Sequence, residues 1–117
     1  MSSENTEVFT FLSLSFNVTE AQKFVQNKKI QFIEIEGLAA YLPDPNSKIM
    51  QGFKVIIDQE KAMSDATDLT KPIILATYKK SHFLIDGWHR LYKAHQLGLV
   101  ELPGYIINEK QTKELLI

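Results

Sequence analysis

From Thr10 onward, Leu12, Leu14 and Phe16 alternate with Ser13 and Ser15, the two-residue period of a strand. The stretch Val8 to Phe16 therefore reads as one β-strand. Thr19-Glu20-Ala21-Gln22 has the form of a capping box. It predicts a short helix to about Asn27, with Thr19 as N-cap and Gln22 reaching back to it. Lys28 and Lys29 suit the C-terminal end of that helix. Ile30 to Glu36 alternates again and reads as a strand, with Glu34 and Glu36 on a solvated face. Leu38 to Leu42 predicts one helical turn, and Pro43-Asp44-Pro45-Asn46 a loop. A short β-rich run, Phe53 to Ile57, precedes a helix over Gln59 to Ala66. Asp65, Thr67 and Asp68 then mark a loop.

The second half has sharper punctuation. Pro72 to Tyr78, with three consecutive aliphatics at Ile73, Ile74 and Leu75, predicts a buried strand. Lys79-Lys80-Ser81 turns the chain, and His82 to Ile85 returns. Asp86-Gly87 ends that strand. Trp88 to Leu97 reads as a helix, with Gly98 in the position where a left-handed residue closes helices. Pro103 to Ile107 is a further strand and Lys110 to Leu116 a terminal helix. Strands and helices mix with hairpin-length connections, so the fold class is α+β.

The length, 117 residues, predicts one compact domain. A hydrophobic fraction of 44% supplies its core. The formal charge of −1, from 13 Lys+Arg against 14 Asp+Glu, argues against gripping nucleic acid through bulk electrostatics. Lys28-Lys29 and Lys79-Lys80 read as solvated turns in preference to backbone contacts. The absence of cysteine excludes disulfides, thiolate metal sites and a cysteine nucleophile. Met1 to Glu7 carries two acids and no base, unlike a secretory signal, and the run Val8 to Phe16 is too short for a bilayer. A cytoplasmic protein without membrane contact is the expectation. An exposed edge on the strand Val8 to Phe16 would offer a route to homo-oligomers.

The candidate chemistry lies in Phe83-Leu84-Ile85-Asp86-Gly87-Trp88-His89-Arg90. A strand ends in Asp-Gly and a helix starts at once. The N–H groups of a first helical turn carry partial positive charge. Gly87 has no Cβ to keep a ligand from the backbone. Arg90 adds a planar fork suited to phosphate or carboxylate. Together these predict an anion site, with phosphate as the expected ligand. Asp86 has two possible roles, Mg²⁺ ligand or helix cap, and the cap is favoured. Trp88, Leu91, Ala94 and Leu97 follow helical spacing and read as core. Asp58 and Glu60 follow a strand and are further acids for the site. His82 and His95 read as ordinary surface histidines.

Residues 69–107 resemble the ParB/sulfiredoxin fold. The resemblance rests on Lys71-Pro72-Ile73-Ile74-Leu75, a hairpin, Gly87-Trp88-His89-Arg90, a helix ending in Leu97-Gly98, and Leu102-Pro103-Gly104-Tyr105. It implies a small mixed sheet flanked by helices over residues 29–117, with residues 1–28 an added strand and helix. It also implies a nucleotide ligand (ATP, ADP or CTP), with or without Mg²⁺. Gly87, Trp88, His89 and Arg90 would cradle its phosphates, Lys71 would reach the site, and Asp86 and His89 would be the groups available for catalysis or, for Asp86, metal binding. Trp88 stands where sulfiredoxins carry their catalytic cysteine, so their chemistry is excluded. Trp88 and His89 also replace the Glu and first Arg of the partition proteins' turn. The Asp86-Gly87 start is closer to the Asp-Gly-x-x-Arg turn of the free-serine kinases and of assorted bacterial phage and plasmid proteins. The expected function is nucleotide or phosphate binding, with ATPase or kinase activity as its enzymatic form. A DNA-directed nuclease or plasmid/phage regulator, and a non-catalytic protein-binding module, are the alternatives.

Overall fold

The computed structural model describes residues 8–11, 14–39 and 59–117. A four-stranded mixed sheet organises it. Its strands are β3 (Gln31–Glu34), β4 (Ile73–Tyr78), β5 (Ser81–Asp86) and β6 (Glu101–Ile107), in the order β3-β6-β4-β5. The outer pairs are antiparallel and the central pair, β4 with β6, is parallel. With its helices this is an α+β architecture.

Near the N-terminus, β1 (Val8–Phe11) and β2 (Leu14–Asn17) form a separate antiparallel hairpin. The single strand expected from Val8 to Phe16 is therefore two. The chain runs from β2 straight into α1 (Val18–Phe24). Asn17, not Thr19, is the N-cap, its Oδ1 accepting from the Glu20 N–H at 2.9 Å. The helix needs one side-chain acceptor at its start, and the strand delivers Asn17 there first.

After β3, Glu36 leaves the strand and opens α2 (Glu36–Ala39). The turn expected at Leu38 to Leu42 thus begins two residues early, and residues 40–42 lie outside the described residues. The Pro43–Asn46 loop, the run Phe53 to Ile57 and Asp58 lie outside them as well. α3 (Gln59–Met63) is shorter than the expected helix. Ser64 ends it by donating to the Lys61 carbonyl at 2.7 Å and accepting the Ala66 N–H at 3.2 Å. α4 (Trp88–Gln96) follows β5, and α5 (Glu109–Leu115), capped by Asn108 Oδ1 on the Gln111 N–H, follows β6.

The hairpin turn between β4 and β5 is Lys79-Lys80, both with positive φ (50° and 66°). That pair of left-handed residues matches the twist of the two strands. Lys80 N–H also donates to Glu109 Oε1 at 3.3 Å, tying the turn to α5.

Each face of the sheet carries its own core. On one, Ile33, Ile73, Leu75, Leu84 and Leu102 meet Leu38 of α2 and Trp88, Leu91 and Ala94 of α4. On the other, Ile74, Ala76, Ile85 and Ile107 meet Phe16, Ala21 and Val25 from the N-terminal elements and Leu115 of α5. Full burial of side chains such as Leu91 or Ile107 contributes about 1.5–3 kcal/mol each. Thr112 is fully buried in α5. Its hydroxyl donates to the Asn108 carbonyl and accepts the Thr77 N–H, joining helix to sheet.

Candidate functional site

The turn from β5 to α4 is built around Gly87. Its φ of 108° and ψ of 25° put it in the left-handed region at the N-cap position, and it gives the helix no side-chain cap. Only glycine adopts this conformation readily. Packing makes the same demand. A Cβ here would lie 2.5 Å from Ile73 Cγ2 and 3.0 Å from Ile73 Cβ. The first helical bond runs from Leu91 N–H to the Gly87 carbonyl at 2.9 Å. At the far end of α4, Gly98 (φ 74°) closes the helix as expected. Gly98 N–H donates to the His95 carbonyl and Leu99 N–H to that of Ala94.

Just before the turn, the register between β4 and β5 shifts at Ile74/Leu75. Ile74 pairs with Asp86 and Leu75 with Leu84, so Ile85 is the extra residue of a β-bulge. The bulge turns the end of β5 and aims Asp86 at the first turn of α4. Asp86 is not the helix cap expected of it. Its Oδ1 faces Arg90 Nη2 at 3.5 Å, and its Oδ2 accepts from Gln22 Nε2 at 3.1 Å. Only 13% of the Asp86 side chain and 17% of the Arg90 side chain are exposed.

Arg90 does not project from the turn. Its Nη1 donates to the Pro72 carbonyl, at the entry to β4. The guanidinium thereby joins the start of β4, the end of β5 and the first turn of α4. Gln22 adds α1 to the group. That contact corrects the capping-box role expected of Gln22, and nothing local in the chain points to it, because its partner is 64 positions away.

Trp88 is buried among Leu91, Ala94 and the aliphatics of the sheet, as its helical spacing predicts, but Leu97, expected in the same core, is the C-cap of α4 and is exposed. His89 is half-buried in the first turn of α4. Lys71 is exposed beside Pro72, with its N–H donating to the Asp68 carbonyl at 3.2 Å. The turn thus gathers Asp86, Gly87, Trp88, His89 and Arg90, with Lys71 one residue from the Arg90 contact. Glu60 is exposed on α3, and Glu34 and Glu36 are exposed beyond the opposite edge of the sheet. His95 is exposed, and His82 Nδ1 bonds Thr77 Oγ1 at 2.9 Å.

Two further side chains, Lys93 and Asp68, fix the approach to β4. Lys93 of α4 donates to the carbonyls of Ser64 and Thr67 at 2.9 and 3.0 Å. Asp68 Oδ1 accepts both the Thr70 N–H (2.9 Å) and the Thr70 hydroxyl (2.6 Å). Those two bonds, with Lys71 and Lys93 nearby, hold the Asp68 carboxyl below its ordinary pKa.

Among the described residues, no group of three His, Asp or Glu side chains is arranged to hold a metal ion. No helix among them is long and apolar enough to cross a membrane. Comparison with protein-family models, with curated proteins and with solved structures gives no significant match.

Proposed function

We propose that this chain is a stand-alone ParB/sulfiredoxin-like domain that binds the phosphates of a nucleotide at the turn Asp86-Gly87-Trp88-His89-Arg90. One observation carries the reading: a bulged strand runs through a left-handed glycine into a helix that has no side-chain cap, with an arginine in its first turn. An anion is the natural complement of such a helix start. The order of hairpin, glycine turn, helix and strand that the resemblance implies is also the order of β4, β5, α4 and β6, which supports the fold assignment.

Arg90 acts here as a pre-oriented cation. The Pro72 carbonyl fixes one end of its fork, and a phosphate oxygen would replace the long 3.5 Å contact to Asp86. Asp86 would then be available to one Mg²⁺ carried by the nucleotide. Magnesium commonly takes one or two protein carboxylates and completes its shell with phosphate and water, so a lone acid fits that role. The metal would neutralise charge between Asp86 and the phosphates.

The second reading is a non-catalytic protein-binding module. It is favoured by the same two residues, because Gly87 and Arg90 both have structural work that needs no ligand.

Trp88 is the chain's one tryptophan and sits in the turn itself, so its fluorescence reports on this site directly. The test titrates ATP, ADP, CTP and GTP, with and without Mg²⁺, following Trp88 emission and the thermal midpoint. A nucleotide at a hundred times its Kd adds about 2.7 kcal/mol. For a domain of this size that raises the midpoint by about 10 °C or more. Coincident changes in both signals are the expected result. Absence of both with all four nucleotides overturns the nucleotide reading and leaves the second one standing.

A further inference from the structure

We propose that the outer edge of β3 pairs with itself, so that two copies of this chain join antiparallel, β3 to β3, into one eight-stranded sheet. β3 ends the sheet order, and among the described residues nothing pairs with its outer side. Ile35 N–H donates to the Val100 carbonyl at 3.1 Å, in the same register that sets Ile33 opposite Leu102 and Gln31 opposite Gly104. Bonded positions alternate along an antiparallel strand. Ile30, Phe32 and Glu34 therefore turn their N–H and C=O groups outward.

The side chains at these positions fit a second copy. Ile33 belongs to the core under α4, so Phe32 lies on the other face. The core of that face is built on β4, β5 and the end of β6. It leaves Phe32 68% and Ile30 50% exposed. Lys28 and Lys29 stand before this apolar centre, and Glu34 and Glu36 after it, all four exposed. An antiparallel partner of the same sequence brings each basic end against an acidic end. Outward-facing groups meet only when even positions oppose even positions. The register centred on Gln31 sets Ile30 opposite Phe32 of the second copy and places Lys28, in the turn before β3 where its N–H donates to the Val25 carbonyl, beside that copy's Glu34. Within one chain, Glu34 sits directly across from Glu101, a like-charge pair that is unfavourable on a sheet face. Lys28 of the second copy would offset that repulsion. A two-fold interface doubles every one of these contacts.

Sedimentation of the full chain tests the pairing. The wild type is expected to be a concentration-dependent dimer. Lys28→Glu and Glu34→Lys, measured separately, each turn both ion pairs into like-charge pairs and weaken association by about tenfold or more. An equimolar mixture of the two variants restores both pairs and is expected to dimerise near the wild-type level. Both positions are exposed, and Glu34→Lys also removes the repulsion with Glu101, so circular dichroism is expected to show folded variants. A wild type that stays monomeric overturns the proposal, as does a dimer that neither variant weakens. A mixture no better than its components overturns the register.

Discussion

The two ends of the β3-β6-β4-β5 sheet use their residues in opposite ways. Where β5 gives way to α4, every distinctive residue faces inward. Gly87 makes room for Ile73, Arg90 holds the Pro72 carbonyl, Asp86 answers Arg90 and Gln22, and Trp88 fills the core. At β3 the chain exposes two large apolar side chains and a like-charge pair. A glycine or arginine in a recognisable pattern can thus be required by packing alone, whereas an exposed phenylalanine on an edge strand has no such use among the described residues. The first region is where a ligand is expected from the motif, and the second is where a partner is expected from unused surface.

Substitution at the two ends gives the widest contrast. Gly87→Ala must hold an L-residue at φ 108° and push a methyl into Ile73, 2.5 Å away. Strained backbone and overpacking each cost about 1–3 kcal/mol, so a loss of about 2–6 kcal/mol is expected. Phe32→Ser at the other end is expected to change the stability of the isolated chain by less than about 0.5 kcal/mol. Urea denaturation of both at low protein concentration checks the pair. Comparable losses would erase the distinction between the two regions.

Arg90 sharpens the comparison further. Arg90→Ala removes a donor from the Pro72 carbonyl and leaves the Asp86 carboxylate with Gln22 but no cation, in a mostly buried setting. The expected loss, without any ligand present, is about 1–3 kcal/mol. Arg90→Lys keeps the charge but reaches only one of the two acceptors, so an intermediate loss is expected. If Arg90→Ala is as stable as the wild type, the inward contacts contribute little and the guanidinium is held for a ligand instead.

The turn was legible in the sequence because its signals are local: an aliphatic run, Asp-Gly, helical spacing, and a closing Gly98. Its partners were not, since Gln22 and Pro72 join it through tertiary packing that no window along the chain contains. The N-terminal hairpin has a local signal of its own. Phe9 and Phe11 occupy odd positions and Leu12, Leu14 and Phe16 even ones, and that change of phase falls at the hairpin between β1 and β2. The sequence alone does not decide the cap of α1, because Asn17 and Thr19 are both good acceptors. Only the geometry of the strand's exit selects Asn17. The larger sheet ends in β3 and β5, and nothing local in the sequence says that β3 is one of its edges. The alternation of Ile30 to Glu36 fixes which positions share a face and leaves open which strand lies alongside.

Asp68 offers the smallest and most specific probe of the β5–α4 end. Its carboxylate shapes the turn into Lys71-Pro72, whose carbonyl Arg90 grips. The bonds from Thr70, first its hydroxyl and then its N–H, lower the Asp68 pKa in the folded chain. A lowered folded pKa means that the charged form stabilises the fold. That contribution is complete above the unfolded value, about 4 for an aspartate, and is lost as the pH falls below it. Asp68→Asn keeps an oxygen acceptor but has no charge to lose. Wild type is therefore expected to melt slightly above Asp68→Asn at neutral pH, with the gap closing as the pH drops below about 4. A gap that stays constant across this range would mean that the charge on Asp68 does not help to set the entry to β4. The Arg90 contact to Pro72 would then rest on the helix and the bulge alone.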